Sequence, residues 1–217
     1  MPARQAALTA SSRNRLLQAA KRLFAANGYE YTATSAIARD AGTSESQLMR
    51  YFGGKSGLLE ALFDEAWHDL NGRVTRVVDA AGSPREAITN LLQTITSALA
   101  RDPNLATLFL FEGRRVRGHG AQVRMSGGFI AFAEVARSLV RKGQAAREFD
   151  PRLDGAAVTS AIIGATEGMI RDRIIAKSGG SRGFAEREIQ RTLESMLAGF
   201  APTHGRTRKT SRVAKAR

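Results

Sequence analysis

The chain has 217 residues, of which 43% are hydrophobic, a balance typical of soluble globular proteins. Lys and Arg total 33 against 20 Asp and Glu, and the formal net charge of +13 favours a polyanionic partner such as nucleic acid or an anionic membrane surface. The absence of cysteine excludes disulfide scaffolds, thiolate zinc sites and cysteine nucleophiles.

The ends of the chain carry no signal for export. The first twenty residues lack the apolar core of about 7–15 residues that a signal peptide needs, and no apolar run approaches the ~20 residues of a membrane span. We therefore expect a cytoplasmic protein with no membrane partner. Residues 201–217 contain six basic side chains, no acidic one and little to bury, which predicts a basic disordered tail.

The first predicted element is a helix of about four turns. Its apolar residues recur at the spacing of one helical face, and Asn27-Gly28 follows as a C-terminal stop. The face consists of Leu16, Leu17, Ala20, Leu23 and Phe24.

Two short helices are predicted next. Thr32 to Thr34 offers an N-cap for the first, which Gly42 ends. Ser44 opens the second as part of a capping box, in which its hydroxyl accepts from the amide of Gln47 and the Gln47 side chain reaches back. Leu48 and Phe52, four residues apart, are predicted to point inward.

The remainder of the chain reads as further helices. Gly53-Gly54 precedes a longer one, whose apolar face is Leu58, Leu59, Leu62, Phe63, Ala66 and Leu70. Others are predicted at about 84–101, 103–113, 121–142, 153–177 and 183–200, separated by Pro and Gly. Because no segment shows the alternation of apolar and polar residues that is typical of a strand, the sequence indicates an all-α protein.

The two short helices within 32–52 are joined by a tight turn, which is the pattern of a helix-turn-helix unit. The outward positions of the second helix are rich in hydrogen-bonding side chains, as expected of a helix that enters the major groove. A helical hairpin inside another all-α protein is the alternative that this pattern alone leaves open.

In this region the chain resembles the tetracycline-repressor (TetR) family of transcriptional regulators. The resemblance covers roughly residues 12–63, and its strength lies in the ordered set of motifs. Those motifs are Leu16-Leu17-Gln18-Ala19-Ala20 through Leu23-Phe24, Asn27-Gly28-Tyr29, Thr32, Ile37-Ala38, Ala41-Gly42-Thr43-Ser44, Tyr51-Phe52, Lys55-Ser56 and Leu58-Leu59.

The resemblance implies an all-α fold with an N-terminal three-helix helix-turn-helix domain and a C-terminal helical ligand-binding and dimerisation domain. We expect the DNA-binding domain with its N-terminal arm at 1–57, the effector and dimerisation domain at 58–200 and the tail at 201–217. The implied function is that of a homodimeric repressor, without cofactor or enzymatic activity. An unknown small-molecule effector would release it from a palindromic operator in double-stranded DNA.

The DNA-binding candidates follow from positions that match the family. Lys55, Thr34 and Tyr51 are implied as contacts to the phosphate backbone. Gln47 and Glu45 are implied as base readers, for adenine and for the cytosine amino group respectively. For Glu45 the equal alternative is a first-turn acid that suits the helix dipole. The weaker candidates are Ser35 and Ser46, and Arg4 and Arg13 lie on an arm that either reaches DNA or frays. Met49 departs from the family, which usually has a tyrosine there. At position 49 a backbone contact is either lost or supplied by Arg50.

Each C-terminal candidate has a purely structural role as its alternative. Gly164 and Gly168 suit either a subunit interface or a tight core. Phe109, Phe129 and Phe132 are candidate effector contacts that could equally be plain core, and Glu167 is either an effector group or a partner of a nearby arginine. A basic cluster, Arg114, Arg115, Arg117 and His119, favours either an acidic effector or a solvated loop.

Two rival functions are considered. An enzyme is disfavoured because Gly53-Gly54-Lys55-Ser56 resembles only the end of a phosphate-binding loop, which needs glycine where Met49 stands. The three histidines, His68, His119 and His204, are far apart in sequence. The second rival is a non-specific nucleic-acid-binding helical protein driven by charge.

Overall fold

The computed structural model describes residues 2–112 and 126–202, with the side chains of residues 11–111 and 126–202. All regular elements in these ranges are helical, which confirms the predicted fold class. The helices are α1 (Pro2–Asn27), α2 (Thr34–Asp40), α3 (Glu45–Phe52), α4 (Lys55–Asp79), α5 (Pro84–Arg101), α6 (Pro103–Thr107), α7 (Gly127–Ala145), α8 (Gly155–Ser178) and α9 (Glu186–Gly199). A π-helical turn, Leu108–Glu112, continues α6.

Helix α1 is longer than the predicted four turns, because it begins at Pro2. Proline is well tolerated at the first position of a helix, and the alanine-rich segment behind it has high helix propensity. The predicted apolar face is buried, apart from Leu23, which is half-buried. Gly28, with a φ of 81°, ends the helix as predicted.

The predicted N-cap of α2 is wrong in one respect. Ala33 occupies the cap position without a side-chain hydrogen bond, and Thr34 is already the first helical residue. Thr32 is buried instead, and its hydroxyl lies 2.7 Å from the carbonyl oxygen of Gly28 and 3.2 Å from that of Leu23. Thr32 therefore fastens the loop before α2 to the end of α1.

Half of the predicted capping box of α3 is confirmed. The Ser44 hydroxyl accepts from the Gln47 amide at 3.3 Å, but the Gln47 side chain does not reach back. Its Oε1 accepts a hydrogen bond from the Thr43 hydroxyl at 2.5 Å. Gly53 closes α3 in the left-handed region at a φ of 68°, which glycine adopts without a steric penalty.

The first turn of α4 lies so close to the end of α3 that there is no space for a side chain at Gly57. A Cβ atom there would lie 1.9 Å from the carbonyl oxygen of Phe52. This glycine lets the start of α4 pass directly against the end of α3. Helix α4 then runs without a break across the predicted boundary at residue 57, which remains a prediction.

Each of the nine described helices contributes buried apolar residues to one contiguous core. Within the C-terminal region, α5 packs against α4, α7 and α9, and α8 packs against α7 and α9. The predicted range 84–101 matches α5, whereas 103–113 divides into α6 and the π-helical turn. Residues 121–125 of the predicted 121–142 helix, the basic cluster and most of the tail lie outside the described residues.

Gly164 rules out one of the two interpretations of the α8 glycines. It is exposed, and a Cβ atom at this position would meet no heavy atom within 4 Å. The tight-core alternative is therefore wrong for Gly164, because no neighbouring helix within residues 2–112 and 126–202 approaches it. Among the described helices, none has the combination of length and hydropathy that crossing a bilayer demands.

Candidate DNA interface

The candidate DNA interface is the outer surface of α3 with the adjoining ends of α2 and α4. Leu48 is fully buried and Phe52 is half-buried, so these two side chains attach α3 to the core. Glu45, Ser46 and Arg50 are exposed, and Gln47 and Tyr51 are half-buried. Met49 also faces outward, with 53% of its surface exposed. The structure thus brings the predicted reading residues together on a face that the described chain leaves open.

Glu45 and Thr34 connect the first turns of α3 and α2. The Thr34 hydroxyl donates to Oε1 of Glu45 at 2.6 Å. This contact orients the Glu45 carboxylate and leaves its second oxygen available as an acceptor. Ser35, next to Thr34, is exposed on the same first turn of α2.

Gln47 is held by its neighbour in the turn. The hydroxyl of Thr43 binds the side-chain carbonyl of Gln47, which fixes the direction of the amide group. The amide nitrogen keeps two donors, and the carbonyl oxygen keeps one lone pair. A side chain held in this way loses less conformational entropy when it binds a base edge.

Arg50 and Tyr51 form a pair on the second half of α3. The Arg50 guanidinium carbon lies 5.0 Å from the centre of the Tyr51 ring, and Nη2 donates to the phenol oxygen at 3.1 Å. The phenol keeps its own proton as a donor because it is the acceptor in this contact. The pair therefore presents a cation and a hydroxyl donor side by side.

Lys55 at the start of α4 is bound to the loop between α1 and α2. Its Nζ lies 3.0 Å from the carbonyl oxygen of Tyr29 and 3.2 Å from that of Glu30, and 4.5 Å from the centre of the Tyr29 ring. These contacts use two of its three donors. Lys55 therefore stabilises this loop, a role that the sequence pattern did not indicate, while a phosphate contact remains a prediction for its third donor.

Two basic residues of α1 bind to α2, α3 and α4. Arg13 is ion-paired with Glu65 and lies 5.3 Å from the centre of the Phe52 ring, so it is a structural link and not a frayed arm residue. The guanidinium of Arg15 donates to the carbonyl oxygen of Ala41 at 2.9 Å, at the C-terminal end of α2. The orientation of α2 and α3 is thereby coupled to α1 and α4.

The aromatic effector candidates belong to a ring cluster around Trp67. Phe109 stacks on Trp67 with ring centres 4.6 Å apart, and the Phe129 and Phe132 rings each lie 5.6 Å from the same indole. Trp67 was not among the predicted residues, although its position four residues after Phe63 on one helical face was a signal for it. Glu167, the polar candidate, is half-buried on α8.

The described residues offer no metal centre. No group of three His, Cys, Asp or Glu side chains within these ranges is arranged to hold an ion.

Comparison with known proteins assigns the N-terminal region. Residues 16–62 match the family model described as bacterial regulatory proteins, tetR family. Nucleoid occlusion factor SlmA of Vibrio vulnificus (strain YJ016) is 31% identical over 111 residues, which are 48% of this chain and 57% of that protein. The repressor KstR2 of Mycolicibacterium smegmatis is 30% identical over 107 residues, 49% of this chain and 52% of that protein. The chain thus spans a little over half the length of these curated relatives.

Solved structures extend the likeness to the C-terminal helices. The transcriptional regulator FadR from Bacillus subtilis, in complex with stearoyl-CoA, superposes with a TM-score of 0.77 at 20% identity, covering 87% of this chain and 98% of that one. The ketosteroid transcriptional regulator KstR2 of Mycobacterium tuberculosis gives a TM-score of 0.70 at 23% identity, covering 88% and 95%. At these identities the likeness shows the fold, an N-terminal helix-turn-helix followed by a helical domain.

Proposed function

The chain belongs to the tetR family of bacterial regulatory proteins, and from that premise we propose that it is a dimeric, sequence-specific, DNA-binding transcriptional regulator. In this proposal it is a repressor that leaves a palindromic operator when a small effector binds. The observation that carries the proposal is the α3 surface, where Leu48 is fully buried while Glu45, Ser46 and Arg50 are exposed. A capped helix with a polar outer face is suited to read base edges in the major groove.

The proposed base contacts follow from the hydrogen-bond donors and acceptors that each side chain still has available. Gln47 has a free amide and a remaining lone pair, which suit the N7 and N6 edge of adenine. The second carboxylate oxygen of Glu45 suits the amino group of cytosine. Ser46 and Ser35 are exposed hydroxyls at the first turns of their helices and take weaker roles.

The backbone roles fall to groups at the edge of this surface. Lys55 supplies a cation at the positive end of α4, and Thr34 supplies a hydroxyl at the positive end of α2. Arg50 beside Tyr51 provides a further charge, in place of the donor that Met49 lacks. These contacts set the register of the protein on DNA without reading its sequence.

Dimerisation is proposed through the exposed face of α8. Small residues at helical spacing leave this face open, and Ile175 on the same face is 53% exposed. The small and apolar residues of this face are Ala157, Ala161, Gly164, Gly168 and Ile175, and the exposed Arg171 lies among them. Two such faces can approach closely and bury Ile175, and α9 is the natural neighbour that completes a four-helix contact.

The effector is proposed to bind at the Trp67 cluster. Phe109 and Phe129 are only half-buried there, so an apolar ligand can replace part of their packing. Glu167 is proposed as the polar contact of the same site. FadR of B. subtilis was crystallised with stearoyl-CoA, and a ligand with an acyl chain is the first class to test.

Selection of DNA from a random pool by the purified protein tests the function. We expect an enriched palindrome with half-sites about 34–36 Å apart, and binding to it at least ~1,000-fold tighter than to random DNA at the same salt concentration. A ratio near one would instead support a non-specific nucleic-acid binder. A protein that stays monomeric with and without the selected DNA would contradict the dimer.

Trp67, the single tryptophan of the chain, reports on the effector site directly. Titration with an acyl-CoA should change its fluorescence and weaken operator binding over the same concentration range. An Ala substitution at Phe109 should reduce both effects together. A fluorescence change without loss of DNA affinity would separate ligand binding from regulation.

A further inference from the structure

Tyr31 is the most exposed of the large hydrophobic residues in the described chain, at 90%. The neighbouring Tyr29 is 8% exposed and Phe24 is 1% exposed. A single exposed aromatic residue is common and by itself indicates nothing. The setting of Tyr31 is what gives its exposure a meaning.

The loop that carries Tyr31 is held on both sides. The residue after it, Thr32, is buried and bound through its hydroxyl to two carbonyl oxygens at the end of α1. The two residues before it, Tyr29 and Glu30, have their carbonyl oxygens bound by Lys55. The Tyr31 side chain is therefore exposed on a fixed segment of backbone.

This loop is bound near both ends of α3. At one end Lys55, three residues beyond the end of α3, contacts the carbonyl oxygens at 29 and 30. At the other end Thr34 contacts Glu45, the first residue of α3. The six residues from Tyr29 to Thr34 are long enough, when extended, to span the ~12 Å of an eight-residue helix, so this loop can be bound near both ends of α3 at once.

We infer that Tyr31 contacts the sugar–phosphate backbone of the DNA strand that borders the groove occupied by α3. Its phenol donates a hydrogen bond to a phosphate oxygen, and its ring packs on the adjacent deoxyribose. Because the side chain is neutral, it adds affinity without releasing counterions. This inference rests on the proposed DNA-binding function, and it adds Tyr31 to the proposed backbone contacts of the chain.

The test compares full-length Tyr31→Ala and Tyr31→Phe with wild type on the selected operator and on random DNA. We expect Tyr31→Ala to weaken both by roughly tenfold, with an unchanged slope of log affinity against log salt. Tyr31→Phe should weaken DNA binding less than Tyr31→Ala does, because it removes only the hydrogen bond of the hydroxyl and keeps the ring. Phe184→Ala, an exposed aromatic residue next to α9, is the matched control and should bind DNA like wild type.

The possible failures are distinguishable. If wild-type protein enriches no sequence from the random pool, the proposed function itself is contradicted. If wild type binds and Lys55→Gln weakens that binding while Tyr31→Ala does not, only the role of Tyr31 is overturned. A Tyr31→Ala effect confined to the operator would also overturn the backbone assignment, since it would indicate base reading. Equal thermal unfolding midpoints for the variants and wild type would exclude misfolding as the cause.

Discussion

Lys21 on α1 and Asp102 before α6 form an ion pair with Nζ and Oδ2 2.5 Å apart. Asp102 is at the same time the N-cap of α6, where its Oδ1 accepts from the Leu105 amide at 3.0 Å. Helix α6 continues into the π-helical turn that carries Phe109. One carboxylate therefore joins the DNA-binding unit to the segment that packs on Trp67.

The two roles of Asp102 can be separated by substitution. Asp102→Ala removes the cap and the ion pair and should lower the free energy of unfolding by about 1–2 kcal/mol. Asp102→Asn keeps the cap and should cost less than about 1 kcal/mol, as should Lys21→Met. Urea unfolding of the three variants measures this. Equal losses for Asp102→Ala and Lys21→Met would show that the cap contributes nothing.

Lys55 and Gln47 should differ in how their removal changes DNA binding. Lys55→Gln keeps a donor for the loop carbonyls but removes the charge, so binding to all sequences should weaken and the salt slope should fall by about 0.9. Gln47→Ala should lower the preference for operator over random DNA by about 1–3 kcal/mol at one base pair, with the slope unchanged. Fluorescence anisotropy at several salt concentrations measures both. The reverse pattern would show that the two assignments are exchanged.

Substitutions at Gly164 test the proposed dimer. A small side chain there should stabilise the single chain, whereas a large one should prevent two chains from associating. Within one chain, Gly164→Ala meets no atom within 4 Å and should stabilise α8 by up to about 1 kcal/mol. In a close α8 contact, Gly164→Leu should prevent the approach and shift the protein towards monomer. Sedimentation velocity measures the shift, and Ala131→Leu on the exposed face of α7 is the control. A Gly164→Leu protein that is as dimeric as wild type would place the interface elsewhere.

Asp150 predicts an acid-dependent component of stability. Hydrogen bonds from the side chain and then the backbone amide of Arg152 lower the pKa of the Asp150 carboxyl from 3.8 to about 2. Because the folded pKa is the lower one, this stabilisation is complete above about pH 4 and is lost as pH falls towards 2. Asp150→Asn should therefore show a smaller drop in urea midpoint between pH 5 and pH 2.5 than wild type.

Helices whose signals are local were well predicted from the sequence. Helix α5 was predicted to the residue, because Pro84 at its first position and Asp102-Pro103 after it are strong boundary signals. The Ser44 cap was also predicted, since a hydroxyl and an amide three residues apart meet in any helix start. The N-cap of α2 was not, because Thr32 turned inward to bind the end of α1, a choice that depends on the packing of the loop.

The sequence by itself determined that the chain is helical, that a turn separates two short helices, and that the second of these presents polar side chains, because periodicity, caps and glycines act within a few residues. The tertiary structure decided that Lys55 binds the carbonyl oxygens of Tyr29 and Glu30, that Tyr31 is exposed, and that the phenylalanines gather on Trp67. Those relationships join residues about 25 or more positions apart in most cases. They depend on how whole helices pack, which no local pattern specifies.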